Sequence, residues 1–223
     1  MKKNFNPKLI MIDVDGTLVD SAADLAYCVD ALMELLGRAK WGEGKVRHWV
    51  GNGVEKLVER SLTGELEAGV NQADFDQAYP LFLQLYRQNT CVRSGLYDGV
   101  LEGLDYLKSK GYILGCVTNK SEQFTLPILK KLGIFNDFKI VISGDTLPRK
   151  KPDPMPLLHA AEFFNISANK CLMLGDSVSD VTAARAAGFG IICMSYGYNH
   201  GENIADEKPD LVLDSMAELQ NYL

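Results

Sequence analysis

Leu9-Ile10-Met11-Ile12 is a near-continuous apolar run that stops at Asp13, the pattern of a parallel strand covered on both faces. From Ser21 to about Leu85 the periodicity turns helical. Leu25, Val29, Leu32, Leu35 and Leu36 recur at three- and four-residue spacing, Val54 to Leu62 follow Gly51-Asn52-Gly53 as a second stretch, and Phe75, Tyr79, Phe82, Leu83 and Tyr86 mark a third. No strand pattern interrupts them, so the segment reads as a separate insert of three or four helices. After Arg93-Ser94-Gly95-Leu96-Tyr97-Asp98-Gly99, where turn residues gather, strands and helices alternate to the C-terminus.

Val100, Leu101, Leu104 and Leu107 predict one helical face closed by Gly111, and Tyr112 to Val117 a strand ending at Thr118-Asn119. A helix to Leu132, a strand Ile140-Val141-Ile142, a helix from about Leu157 to Phe164 and a strand Cys171-Leu172-Met173-Leu174 follow, the last running into Gly175-Asp176. Four strands alternating with helices predict an α/β fold with a doubly wound, Rossmann-like parallel sheet. Residues 1–18 and 86–223 would form this core and residues 19–85 the helical insert. Ligands of such sheets bind outside the carboxyl ends of the strands, where Asp13, Thr118 and Asp176 would each emerge.

Composition narrows the class. The 223 residues are 47% hydrophobic and 23% charged, ordinary for a globular protein, and no stretch approaches the ~20 apolar residues of a membrane span. Met1-Lys2-Lys3 with Leu9–Ile12 imitates a signal peptide, but the apolar run is shorter than the roughly 7–15 residues one requires. Five cysteines, odd in number and without a Cys-x-x-Cys pair, predict reduced thiols and a cytoplasmic location. Asn165-Ile166-Ser167 then matches a glycosylation acceptor by chance. A net charge of −6 argues against nucleic acid or another extended polyanion as partner, and the composition against a membrane.

Asp13 and Asp15 stand two positions apart just past a strand, so extended backbone would direct both carboxylates toward the crevice. Their repulsion is relieved by a divalent cation or by one keeping its proton. Gly16 permits close approach to an anion, and Thr17 carries an orienting hydroxyl. Thr118-Asn119 offers neutral groups for phosphate oxygens. Lys150-Lys151-Pro152-Asp153-Pro154 offers a cation on a restrained loop, and Gly175-Asp176-Ser177-Val178-Ser179-Asp180 two more acids at a helix entry. Taken singly, each has a bland alternative: an acidic turn, a common turn beginning, a solvated charge pair, an acid favoured by a helix dipole. Gly51-Asn52-Gly53 lacks the third glycine and the preceding strand of a dinucleotide site. Gly44-Lys45 is followed by Val46 where a P-loop needs Ser or Thr. His48, His159 and His200 are scattered and read as structural or surface residues.

In this order the four segments resemble the motifs of the haloacid dehalogenase superfamily, Asp-x-Asp-Gly-Thr, Ser/Thr, Lys and Gly-Asp-x-x-x-Asp, and the helical insert resembles the cap that many members carry. Within it the chain is similar to bacterial phosphoglycolate phosphatases through Asp13-Val14-Asp15-Gly16-Thr17-Leu18-Val19-Asp20-Ser21, Trp49-Val50-Gly51-Asn52-Gly53, Val117-Thr118-Asn119-Lys120 and Tyr196-Gly197-Tyr198-Asn199. The resemblance implies a Mg2+-dependent phosphatase acting on a small phosphorylated metabolite such as 2-phosphoglycolate, as monomer or homodimer. Asp13 would be the nucleophile and Asp15 the general acid and base. Mg2+ would be held by Asp13, the Asp15 carbonyl and Asp176. Lys151, Thr118, Asn119 and Gly16 would face the phosphate, Asp180 and Thr17 would orient these groups, and Asn52 would read the substrate from the cap. A phosphatase of another sugar phosphate, a phosphomutase with the same core and a non-enzymatic phospho-receiver domain are the competing expectations.

Overall fold

The structure is a computed structural model that describes residues 5–223; Met1-Lys2-Lys3 lies outside them. In chain order the elements are β1 (Leu9–Ile12), β2 (Val19–Asp20), α1 (Ala22–Leu35), α2 (Glu43–Trp49), α3 (Val54–Thr63), α4 (Gln72–Asn89) and β3 (Gly95–Leu96). There follow α5 (Val100–Ser109), β4 (Ile113–Val117), α6 (Glu122–Lys131), β5 (Ile140–Ile142), α7 (Met155–Phe163), β6 (Cys171–Gly175), α8 (Val178–Ala187), β7 (Gly190–Met194) and β8 (Leu211–Leu213).

All four side chains of β1 are fully buried, and they alternate between two layers. Ile10 and Ile12 pack with α5 and α6 through Val100, Leu104, Leu107, Ile128 and Leu129, whereas Leu9 and Met11 pack with α7 and α8 through Leu157, Ala160, Val181 and Ala184. Neither face meets water, which is why the run contains no polar position. Helices on both faces of a parallel sheet make the doubly wound architecture that the pattern predicts.

The sheet has six strands in the order β5-β4-β1-β6-β7-β8, every pair parallel, two strands more than the sequence pattern yields. β7 is an apolar run like β1, following the left-handed Gly188 that ends α8, and β8 is a three-residue edge strand opposite the equally short β5. One helical face also differs. Leu101 is 53% exposed, and the buried stripe of α5 is Val100, Gly103, Leu104 and Leu107, with Gly103 against Met216. These are the i, i+3, i+4 and i+7 positions of a 3.6-residue period, from which i+1 turns away.

Helices α1 to α4 bury a cluster of their own that includes Val29, Leu32, Trp49, Leu57, Phe82 and Tyr86 and is joined by Phe124 of α6 and by Tyr198. The two connections between these helices and the sheet pair as an antiparallel ribbon, Val19 with Leu96 and Asp20 with Gly95. Buried Asp24 of α1 fastens that ribbon by accepting hydrogen bonds from the Arg93 and Ser94 N–H groups at 2.9 Å each and from Ser94 Oγ at 2.5 Å. Among the described residues no helix is long and apolar enough to cross a membrane.

Candidate active site

β1, β4 and β6 are neighbours, so the residues leaving their carboxyl ends meet by topology. Asp13 follows β1, accepting the Val14 N–H on Oδ1 at 2.7 Å, and Lys151 Nζ reaches the same oxygen at 3.0 Å. Lys151 comes from the turn between β5 and α7, is 2% exposed, and donates also to Asp180 Oδ1 at 2.7 Å and to the Val117 carbonyl at 3.0 Å. Asn119 Nδ2 donates to the Lys151 carbonyl at 2.8 Å, so the loop after β4 braces the lysine loop. Asn119 Oδ1 is buried and has no partner among the described residues.

Asp176 follows β6 and accepts from Thr17 Oγ1 and from the Tyr198 N–H, both at 2.6 Å. Room for it is made by glycine. Gly16 has φ of 88°, and a Cβ there would lie 2.2 Å from Asp176 Oδ2; one on Gly197 would lie 2.2 Å from the Asp176 Cβ. Asp180, in the first turn of α8, accepts on Oδ2 from the Asp176 and Ser177 N–H groups at 3.2 and 3.1 Å and from Ser177 Oγ at 2.7 Å.

Burial pushes the Asp13 carboxyl up to about 7, Lys151 opposing and Asp180 adding to the shift. Burial, with Asp180 and Asp13 as like charges, holds Asp176 well above the usual carboxylate range. Burial alone would lower Lys151, and Asp13 and Asp180 more than reverse it, keeping the ammonium above its ordinary value. Carboxylate oxygens of Asp13, Asp176 and Asp180 lie within 4.8 Å of one another. Three carboxylates against one ammonium leave the charge that a divalent cation balances, and oxygen donors suit a hard one.

Asp15 lines the same cleft as Asp13 but has different partners. Its Oδ1 accepts from Ser21 Oγ at 2.5 Å, and Lys120 Nζ stands 2.9 Å from its Oδ2. Lys120 follows Thr118-Asn119, gives its N–H to Thr118 Oγ1 at 3.2 Å, and donates from Nζ to the Tyr86 hydroxyl of α4 at 2.9 Å. Burial alone would lower the Lys120 ammonium, and Asp15 and Tyr86 hold it above its ordinary value.

The opposite wall comes from the helical insert. Gly51, Asn52 and Gly53 join α2 to α3 with three consecutive positive φ angles of 126°, 65° and 98°. Buried Arg60 of α3 organises this loop, donating to the Trp49 and Gly51 carbonyls at 2.7 and 3.2 Å and to Asn52 Oδ1 at 2.9 Å. Asn52 Nδ2 donates to Ser179 Oγ of α8 at 3.1 Å. His200, tied through Nδ1 to the His48 carbonyl at 2.9 Å, closes one edge, and burial holds its imidazole below its ordinary value.

The cleft thus gathers Asp13, Asp15, Asn52, Thr118, Asn119, Lys151 and Asp176, with Gly16, Thr17 and Asp180 packed behind them. His48 and His159 are exposed. Sequence reasoning missed Lys120, Ser21, Tyr86, Arg60 and His200 as parts of the cleft or its supports. Of these, Ser21 and Lys120 end two of the motif segments, Asp13 to Ser21 and Val117 to Lys120. Tyr196-Gly197-Tyr198-Asn199 wraps the site, Tyr196 donating to the Thr17 carbonyl at 2.8 Å and Asn199 Oδ1 accepting the Val178 N–H at 3.0 Å.

Sheet and site together are those of a doubly wound α/β protein whose strand ends gather aspartates that can coordinate a divalent metal. The chain belongs to the haloacid dehalogenase-like hydrolases, whose family profile matches residues 7–188. It is 58% identical over 217 residues to phosphoglycolate phosphatase of Nitrosococcus oceani, covering 97% of this chain and 96% of that protein. It is 44% identical over 211 residues to phosphoglycolate phosphatase of Thiobacillus denitrificans, covering 95% and 93%. The crystal structure of a predicted phosphoglycolate phosphatase from Haemophilus somnus matches it with a TM-score of 0.90 at 35% identity over 97% of both chains. Family membership sets aside the phospho-receiver expectation.

Proposed function

We propose that this enzyme is a phosphoglycolate phosphatase, hydrolysing 2-phosphoglycolate to glycolate and phosphate through an aspartyl-phosphate on Asp13. The observation that carries the reading is the contact of Asp13 with Lys151 at 3.0 Å in the cleft, a carboxylate nucleophile beside the cation that balances the incoming phosphoryl group. The substrate is supported by the high identity to enzymes of that name along almost the full length.

Asp13 attacks phosphorus, forming the Asp13 O–P bond as the ester P–O bond breaks, while Asp15 passes a proton to the departing alkoxide. Asp15 then takes a proton from the water that attacks the aspartyl-phosphate, releasing phosphate and restoring both carboxyl groups. Lys151, Thr118 and Asn119 hold the phosphoryl oxygens, Gly16 bounds the site beneath them, and the loop Gly51-Asn52-Gly53 covers the far end of the substrate. Helices α1 to α4, as the cap, exclude water from the cleft.

Mg2+ fits the donor set. Asp13 and Asp176 of the acidic cluster would hold the ion, together with the Asp15 carbonyl as the family resemblance implies, while Asp180 is paired with Lys151 and Thr17 orients Asp176. When bound it supplies Lewis-acid stabilisation of charge on the transferring phosphoryl group. The five buried thiols support a cytoplasmic enzyme, acting as monomer or homodimer.

The test is phosphate release from a panel of small phosphate esters with Mg2+, with Asp13→Asn as blank. Expected is preferential release from 2-phosphoglycolate, lost by at least about 10³-fold in the variant. Parent-like turnover by Asp13→Asn would sink the nucleophile assignment, and isomerisation of a sugar phosphate without free phosphate would mean a mutase.

A further inference from the structure

Two buried lysines face the cleft, and only Lys151 has a role in the chemistry above. Lys120 is 4% exposed, and its Nζ sits between Asp15 Oδ2 and the Tyr86 hydroxyl, each at 2.9 Å. Resting on the phosphatase reading, we infer that Lys120 is a positioning residue for the general acid–base Asp15, held in place by the Tyr86 hydroxyl of the helical insert.

The Asp15 carboxyl group is clamped from two directions. Ser21 Oγ donates to Oδ1 at 2.5 Å, and Lys120 stands at Oδ2, so rotation about the carboxyl's own bond would break both contacts. A buried ammonium has three N–H bonds to direct, and its stem is flexible. Tyr86 fixes where it points. Tyr86 is itself fully buried and packed between aromatic rings, 4.5 Å from that of Phe124 and 5.8 Å from that of Phe82. The clamp therefore runs from α4 through Tyr86 and Lys120 to Asp15, while Ser21, directly before α1, holds the other oxygen. Both restraints on the proton-transferring group depend on the helical insert.

Negative charge appears on Asp15 as its proton passes to the leaving alkoxide, and Lys120 faces the oxygen that carries it. A cation at that place lowers the barrier most when the leaving group needs the proton most. Lys120 makes no contact with Asp13, so it serves proton transfer rather than attack. Its Nζ is committed to Asp15 Oδ2 and the Tyr86 hydroxyl, which distinguishes it from a cation reserved for the substrate's own carboxylate.

The experiment compares kcat/KM of the parent, Lys120→Met, Lys120→Arg and Tyr86→Phe on three esters of similar size: 2-phosphoglycolate, ethyl phosphate and 2,2,2-trifluoroethyl phosphate. Trifluoroethanol is the most acidic of the three alcohols and departs with least help from a proton. Lys120→Met is expected to lose about 10²-fold on both 2-phosphoglycolate and ethyl phosphate and clearly less on the trifluoroethyl ester. Tyr86→Phe should follow the same order with a loss of about 3- to 10-fold, and Lys120→Arg should recover part of the Lys120→Met loss. Equal losses on all three esters would overturn the inference in favour of a structural role. Loss on 2-phosphoglycolate with ethyl phosphate spared would overturn it in favour of carboxylate binding. Tyr86→Phe keeps the buried ring, so a parent-like profile for it, at an unchanged thermal midpoint, would remove the anchor. Failure of the parent to release phosphate from any ester would instead sink the phosphatase reading itself.

Discussion

Asn52 Nδ2 donates to Ser179 Oγ at 3.1 Å, so one side chain of the helical insert is fastened to the helix that follows the Asp176 loop. Its Oδ1 is held by Arg60, which fixes the amide with one N–H still uncommitted by these bonds, at the wall facing Asp13 and Lys151. That N–H is suited to a substrate carboxylate. A hydrogen bond to a charged group contributes about 1.5–3 kcal/mol. Asn52→Ala should therefore lower kcat/KM for 2-phosphoglycolate by about 10-fold or more relative to ethyl phosphate. Paired kinetics on the two esters check it, and unchanged selectivity would remove Asn52 as the reader.

How much of this was legible in the sequence follows from what leaves a local trace. β1 could be read because both its faces are buried and no polar residue interrupts Leu9–Ile12; the convergence of Asp13, Thr118 and Asp176 then followed from parallel topology. α2, seven residues long, is too short for a stable helical period, whereas the Leu211-Val212-Leu213 run of β8 is as long as the legible β5 and was not singled out. The pairing of Lys120 with Asp15, and of Arg60 with the Gly51-Asn52-Gly53 loop, leaves no spacing signal. Each depends on where helices settle on the core, and a lysine after Thr118-Asn119 reads locally as a turn residue. The glycines were half legible: Gly16 was recognised as a place of close approach, but what approaches is the Asp176 carboxylate.

Asp20, at the entry to the helical insert, carries a pH dependence. Burial alone would raise its carboxyl, but the Tyr198 hydroxyl and the Arg47 guanidinium, bonded to both oxygens at 3.1 Å, more than reverse this and hold it below its ordinary value of 3.8. A lowered folded-state value means that the unfolded chain takes up the proton first. The stabilisation is thus complete above the unfolded value and fades as pH falls through the folded one. Urea midpoints should separate the parent from Asp20→Asn clearly at pH 7 and converge toward pH 3. A gap that stays constant across that range would show that the ionised form of Asp20 contributes nothing.

The acidic centre predicts a stabilising response to metal as well as a catalytic one. Asp13, Asp176 and Asp180 crowd their oxygens within 4.8 Å around a single ammonium, so a divalent cation should bind the folded chain far better than the unfolded one. Ligand at 100 times its Kd adds about 2.7 kcal/mol to folding. For a chain of this size each kcal/mol is worth roughly 2–4 °C of Tm, so saturating Mg2+ should raise the thermal midpoint by about 5–10 °C. EDTA should reverse the rise and stop phosphate release together. Asp176→Asn should abolish both responses, and without metal it should melt no earlier than the parent, because it removes one of three mutually repelling carboxylates. A variant that melts well below the parent in EDTA would mean that Asp176 matters for its bonds to Thr17 Oγ1 and the Tyr198 N–H rather than for cation binding.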